Sequence, residues 1–222
     1  MKKALIFGTT DFAQVAAVYL RDDSEYEVEA FVVNEAYVES APASIMEKPV
    51  ISFERAVETH RPSEFSMYFG IGFSKVNANR RGVYEACKAA GYTVPSYVHS
   101  TVARWPETQI GEACFIFENN VIQPFVTIGN NCVLWSGNHI GHHSRIGDNV
   151  FIASHVVVSG RCAIGDNTFV GVNATFRDGI TIGADCVIGA GAILLKDTIA
   201  GSVYKSTATE PYVRRSDELR NF

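Results

Sequence analysis

Four of the chain's six histidines, His139, His142, His143 and His155, fall within seventeen residues. Imidazole titrates close to neutrality, so it can take a proton from an attacking group at physiological pH. A histidine cluster also has two other readings. Three imidazoles converging with an open fourth position would bind zinc. Histidines spread along one side would line a seam between subunits. His60 and His99 stand apart and read as structural or exposed. A second candidate lies at the start of the chain, in Gly8-Thr9-Thr10-Asp11-Phe12-Ala13. It follows a short apolar run, and Phe12, Val15, Ala16 and Tyr19 continue at helical spacing. A strand-turn-helix presents free N–H groups that can hold a phosphate. The turn keeps the first glycine and the final small residue of the dinucleotide fingerprint. Thr10 replaces the second glycine, which lets a pyrophosphate approach the backbone, so NAD is disfavoured. A mononucleotide diphosphate or a purely structural turn remains.

The elements that must carry these residues are legible in a repeat. From Ile110 every sixth residue is bulky and apolar, through Ile116, Ile122, Ile128, Leu134, Ile140, Ile146, Ile152, Val158, Ile164, Val170, Phe176, Ile182 and Ile188 to Leu194. About a third of residues in an average chain would qualify, so chance gives fifteen hits in a row roughly once in ten million. A period of six is neither helical nor a simple strand alternation. It fits short strands joined by corners and stacked as a solenoid, a parallel β-helix. The position four after each apolar residue is mostly small, and Cys114, Cys132, Cys162 and Cys186 occupy it. These read as free thiols used as small hydrophobes, with no CxxC pair and no zinc spacing. The position one after is often glycine, expected at corners where positive φ is cheap.

The first half reads as a small α/β unit. Strands are expected at 3–7, 28–33, 49–51 and 65–71, with helices after Thr10, over 53–60 and over 75–90. The organisation expected is an α/β domain with a small Rossmann-like parallel sheet at 1–97, a β-helix at 98–198, and a tail at 199–222. Residues 216–221 could form a final helical turn. The 222 residues carry a formal net charge of −5 and are 47% hydrophobic and 19% charged. That composition argues against disorder, and the mildly acidic balance argues against nucleic acid or an anionic membrane as partner. No apolar run reaches membrane-spanning length, and the opening run is too short for a signal-peptide core. A cytoplasmic protein is expected, and free cysteines suit that compartment.

A small α/β domain followed by hexapeptide repeats resembles a bacterial family of sugar acyltransferases. It includes sialic-acid O-acetyltransferases and N-acetyltransferases of nucleotide-linked 4-amino-sugars, of the kind used in lipopolysaccharide O-antigen and related glycan synthesis. The resemblance implies a left-handed β-helix with three hexads per coil, a homotrimer, and acetyl-CoA held in the groove between neighbours. It implies no metal. The family's glycine-rich turn falls on Gly8, Thr9 and Thr10, and its acidic pair after the second strand falls on Asn34 and Glu35. Its I-G-x-N-x-x-R stretch falls near Gly72, Phe73, Asn77 and Arg80. These nine would bind the nucleotide-linked amino sugar, with UDP, dTDP or GDP as the nucleotide. The family's I-E-H-[DE]-x-x-I-G falls on 140–147 and places its catalytic histidine on His142, between stacked neighbours Pro124 and Gly160. The next residue, acidic in the family, is His143 here, a supporting site residue beside which Arg161 would stack. A carboxylate partner for His142 must come from elsewhere, with Asp148 or a neighbouring subunit as candidates. Phe151, Gly160, Val172 and Ala190 match positions that meet the cofactor.

The activity implied is acetyl transfer from acetyl-CoA to the amine of a nucleotide-linked deoxy-amino-sugar, with His142 as general base. Acetylation of a sugar hydroxyl uses the same base and cofactor. Two readings of other classes are a metal-dependent γ-type carbonic anhydrase, motivated by the histidines, and a non-catalytic sugar-nucleotide binder.

Overall fold

In the computed structural model, residues 1–211, 213 and 215 are described; the helical turn expected at 216–221 lies outside them. The chain opens with β1 (Lys2–Phe7), α1 (Asp11–Asp23) and β2 (Tyr26–Val33). A short hairpin follows, β3 (Ser44–Ile45) and β4 (Lys48–Ser52), then α2 (Phe53–Thr59), β5 (Phe65–Phe69) and α3 (Ala78–Ala89). The sheet order is β3-β4-β2-β1-β5. It is parallel except at its edge, where β3 runs antiparallel to β4. α1 buries Phe12, Ala13, Ala16, Ala17 and Leu20, a stripe at helical spacing, against this sheet. The antiparallel edge strand was not expected; Met46 and Glu47 reverse the chain with positive φ.

The turn between β1 and α1 is shaped by close packing. Gly8 has φ +130, and a Cβ there would meet the Gly70 carbonyl oxygen at 2.5 Å. A Cβ on Gly70 would in turn meet the Ala13 backbone. Glycine and alanine at the ends of the turn therefore let the end of β5 pack on the start of α1. They leave Thr9 and Thr10 to face outward into the cavity described below.

The second half is a left-handed parallel β-helix of two-residue strands, from Tyr97–Val98 to Val203–Tyr204. Strands stack eighteen residues apart in three parallel sheets of seven, six and five. The second residue of each strand points inward, and the series Ile116 to Leu194 is buried without exception. The stack begins at Tyr97, one coil before the repeat becomes regular, and Val203–Tyr204 extends it into the expected tail.

Corner geometry corrects one expectation. Left-handed φ recurs every sixth residue from Ala113 to Gly191, and Asn holds it at 119, 131, 149, 167 and 173. His143, His155 and Arg161 hold it too. The glycines that follow the inward aliphatics do not adopt it. They are required because the next coil passes too close: a Cβ on Gly165 would lie 2.4 Å from the Ala184 nitrogen. Asparagine tolerates the left-handed conformation well enough for corners, whereas no side chain fits a 2.4 Å approach.

All five cysteines are free and buried. The four in the solenoid donate weak bonds from Sγ to carbonyls of the adjacent coil, as Cys114 does to Gly129 at 3.1 Å. Ser144 and Thr168 do the same from hydroxyls at equivalent positions. The small interior position thus satisfies backbone groups that the corners leave unpaired.

One face of the prism carries the α/β domain. Its outward column is Tyr97, Phe115, Val133, Phe151 and Phe169. Phe12 of α1 packs against Phe115, Phe117 and Trp135 with ring centroids 5.4–6.1 Å apart. Burying each large aromatic contributes about 1.5–3 kcal/mol.

Candidate active site

Thr9, Thr10, Asn34 and Gly72 line a cavity of about 690 Å³ in the α/β domain, together with Gly8, Tyr37, Ser40, Lys75 and Asn79. It lies beyond the ends of β1, β2 and β5, where doubly wound sheets bind their ligands. Thr10 sits at the N-cap of α1 and its side chain caps no helix N–H. Among the described residues, Lys75 is the one cation lining the cavity. Tyr37, Lys75 and Asn79 were missed because no motif marks them; the short helical turn Glu35–Tyr37 and the left-handed Lys75 bring them in.

Four expected substrate residues do other work. Asn77 is buried and donates from Nδ2 to the Asn167 carbonyl at 2.8 Å. Arg80 is buried and donates to the carbonyls of Asn131, Asn149 and Gly72 and to Asn77 Oδ1. Burial pushes its guanidinium down to about 10, which leaves it charged at neutral pH. These two residues clamp the α/β domain onto the β-helix instead of facing the cavity. Phe73 packs on Phe151 and Phe169, with centroids 5.2 and 4.4 Å away. Glu35 begins the short helical turn and is exposed, outside the lining.

His142 and His143 occupy the prism edge between the two faces that do not carry the α/β domain. The Gln123 side-chain oxygen accepts from the His142 backbone N–H at 2.9 Å. The Nδ1 atoms of His142 and His143 are 3.1 Å apart, a distance at which one donates to the other. Phe125 lies against the His143 ring at 4.7 Å. On the far side of His142 the next coil carries Gly160. A Cβ there would fall 2.8 Å from His142 Cε1 and Nε2, and 3.0 Å from Asp178 Oδ1. Asp148, one expected carboxylate partner, accepts from the Asn130 N–H at 2.6 Å and lies on another edge.

Val172 and Ala190 lie on a different edge again, where the domain-carrying face turns into the second face. Both are exposed. Phe151, expected to meet the cofactor, is buried under Phe73 and Arg80 on the domain-carrying face, so it holds the domains together. His139 is an outward strand position on the second face, and His155 lies on the edge that carries Val172 and Ala190, so neither shares the edge of His142. Among the described residues no three His, Cys, Asp or Glu side chains gather to hold a metal ion. His60 packs on Phe65, and His99 on Tyr19 and Tyr97.

The class that the structure defines is one of fold: an α/β domain seated on a left-handed β-helix of six-residue repeats. The model described as bacterial transferase hexapeptide (six repeats) matches residues 107–141 and 161–196. The acetyltransferase domain of PglB from Neisseria gonorrhoeae FA1090 superposes with a TM-score of 0.82 at 22% identity, over 96% of this chain and 100% of that one. PerB from Caulobacter crescentus, solved with CoA and GDP-perosamine, gives 0.82 at 22% identity, over 93% and 95%. WeeI from Acinetobacter baumannii AYE gives 0.78 at 17% identity, over 91% and 96%. A search of curated proteins by sequence returns no match. The whole two-part architecture, and not the repeat alone, is shared with these structures.

Proposed function

We propose that the protein is an acetyl-CoA-dependent N-acetyltransferase acting on the amine of a nucleotide-linked deoxy-amino-sugar in bacterial glycan synthesis. The observation that carries this reading is the pairing of two features on one chain. One is a polar cavity at a helix N-terminus, sized for a nucleotide sugar. The other is a half-buried imidazole whose Nε2 side faces a side-chain-free gap at Gly160. PglB's acetyltransferase domain and PerB share the fold, and PerB's structure holds CoA and GDP-perosamine. Both support the choice of acyl donor and acceptor class.

In this reading His142 Nδ1–H donates to His143 Nδ1, which leaves His142 Nε2 unprotonated as the base. The acceptor nitrogen attacks the thioester carbonyl carbon, and the C–N bond forms. Nε2 takes the proton the nitrogen sheds. The C–S bond then breaks, and the imidazolium returns the proton to the CoA sulfur. His143 orients the ring and fixes its tautomer.

The cavity and His142 lie on opposite sides of the prism, because the α/β domain covers the face that does not adjoin the His142 edge. A single chain therefore does not bring them together. In a homotrimer, the His142 edge of one copy meets the next copy near its Val172 and Ala190 edge. The second face between these edges carries Val121, Val157 and Ile193 outward, with Val157 and Ile193 exposed. A pantetheine arm would lie along that seam.

The test is an acetyl-CoA turnover assay against a panel of UDP-, dTDP- and GDP-linked sugars bearing either an amine or only hydroxyls. Acetylation confined to amino sugars is expected. Acetylation of the hydroxyl members alone would replace the reading with O-acetyl transfer, and absence of turnover across the panel would overturn it.

A further inference from the structure

The carboxylate that a histidine base needs is absent from the residues beside His142 in sequence. Its chain neighbour on the catalytic edge is His143, and a second imidazole brings no negative charge. The geometry points to Asp178. This residue stands thirty-six positions on, which is two coils of the β-helix. We propose that Asp178 is a positioning residue for His142: across the gap left by Gly160, its carboxylate stabilises the imidazolium that forms when Nε2 takes a proton. The inference rests on the base role given to His142 above.

Three observations carry it. His142 Cε1 and Nε2, and Asp178 Oδ1, all lie within 3.0 Å of the single point a Gly160 Cβ would occupy. Any side chain at 160 would separate them, so glycine there keeps the two groups in each other's field. The remaining ionisable groups along this edge do not supply the charge. His143 is in ring contact with His142. Arg161 and Arg177 are cationic, and so is Lys196, which the strand register stacks above Asp178. Asp197 accepts from the Thr181 N–H at 2.8 Å, one turn further away. Glu107 also lies two coils away, on the opposite side, and it is not among the atoms nearest the Gly160 point, where Asp178 Oδ1 is. Among the described residues of this edge, Asp178 is thus the carboxylate that approaches the Gly160 point together with the imidazole. An opposite charge within a few ångströms favours the charged form of a titrating group.

The experiment is an NMR titration of the full-length protein labelled at histidine 13Cε1, with the His142 signal assigned by its loss in His142→Gln. Asp178→Asn should move the His142 titration, read directly from its signal, to lower pH. The acid limb of the kcat/KM profile should move to lower pH by the same amount, with a plateau lower by several-fold. Asp178→Glu should restore most of both. An unchanged His142 pKa in Asp178→Asn would overturn the pairing, and so would a fall in turnover with an unmoved acid limb. The two readings separate cleanly. A shifted pKa in a protein that acetylates no sugar upholds the pairing and removes the proposed reaction. Full amino-sugar turnover with an unshifted pKa does the reverse.

Discussion

At the scale of single residues, the proposed chemistry rests on His142 and the space around it. His142→Ala should lower turnover by about two to four orders of magnitude, the range for loss of a general base. Its thermal midpoint should stay near wild type, because the ring packs on a corner and not in the core. Activity within a few-fold of wild type would remove the base role. Gly160→Ala is a sharper probe. The new Cβ would meet only the far ends of the His142 and Asp178 side chains, which can swing aside. Turnover should fall at least tenfold with little loss of stability, whereas Gly165→Ala should destabilise. There the obstruction is backbone of the next coil, which has nowhere to move. Overpacking of that kind costs about 1–3 kcal/mol or more, and thermal unfolding would separate the two variants.

At the scale of elements, the eighteen-residue coil assigns a task to each face of the prism. Outward positions on one face are Phe115, Val133, Phe151 and Phe169, while the same positions on another are Gln109, Thr127, Arg145 and Ala163. Every third hexad is therefore apolar outside as well as inside. That pattern is present in the sequence, and it marks the docking face once the coil length is known. It also explains why Phe151 reads as a site residue by motif yet serves as a floor for the α/β domain. α3 completes the joint through Arg80, which reaches carbonyls on two corners of the β-helix. Arg80→Ala would leave those carbonyls unpaired, at about 1–3 kcal/mol for each buried group. A fall in the midpoint of thermal or urea unfolding should follow, with the cavity residues Thr9 and Thr10 untouched. No change in stability would contradict the clamp.

At the scale of the whole molecule, carboxylates ring the joint between the two parts. Tyr84 and Lys88 donate to Glu112, Tyr19 donates to Glu118, and Tyr97 and the Ser100 N–H donate to Asp23. Hydrogen bonds from Tyr84 and Lys88 hold the Glu112 carboxyl below its usual range. Glu118 and Asp23 are pushed up by burial, yet their hydrogen bonds outweigh it and both end lower than usual. The opposite phenol is raised: burial and Glu118 push Tyr19 up to about 12. A carboxyl with a lowered folded pKa gives its full stabilisation above the unfolded value, about 4, and loses it as pH falls through the folded value. Thermal midpoints should therefore drop steeply below about pH 4, and a Glu112→Gln, Glu118→Gln pair should flatten that drop. At neutral pH, light scattering should give three times the 24.3 kDa chain mass. A monomer with full activity would sink the shared site.

The sequence by itself determined the solenoid, because a strict six-residue period has one physical solution: an aliphatic residue inward from each short strand. It determined the α/β order of the first half for a similar reason, since alternating apolar runs and helical stripes are local signals. It also singled out His142, the base of the proposed reaction. Contacts that cross coils or domains are not local, and the tertiary structure decided those. Asn77 and Arg80 matched a binding motif, but only their burial against the β-helix carbonyls reveals a clamp. Asp178 has no motif at all; it joins His142 because two coils of eighteen residues and one missing side chain place them on either side of the same point.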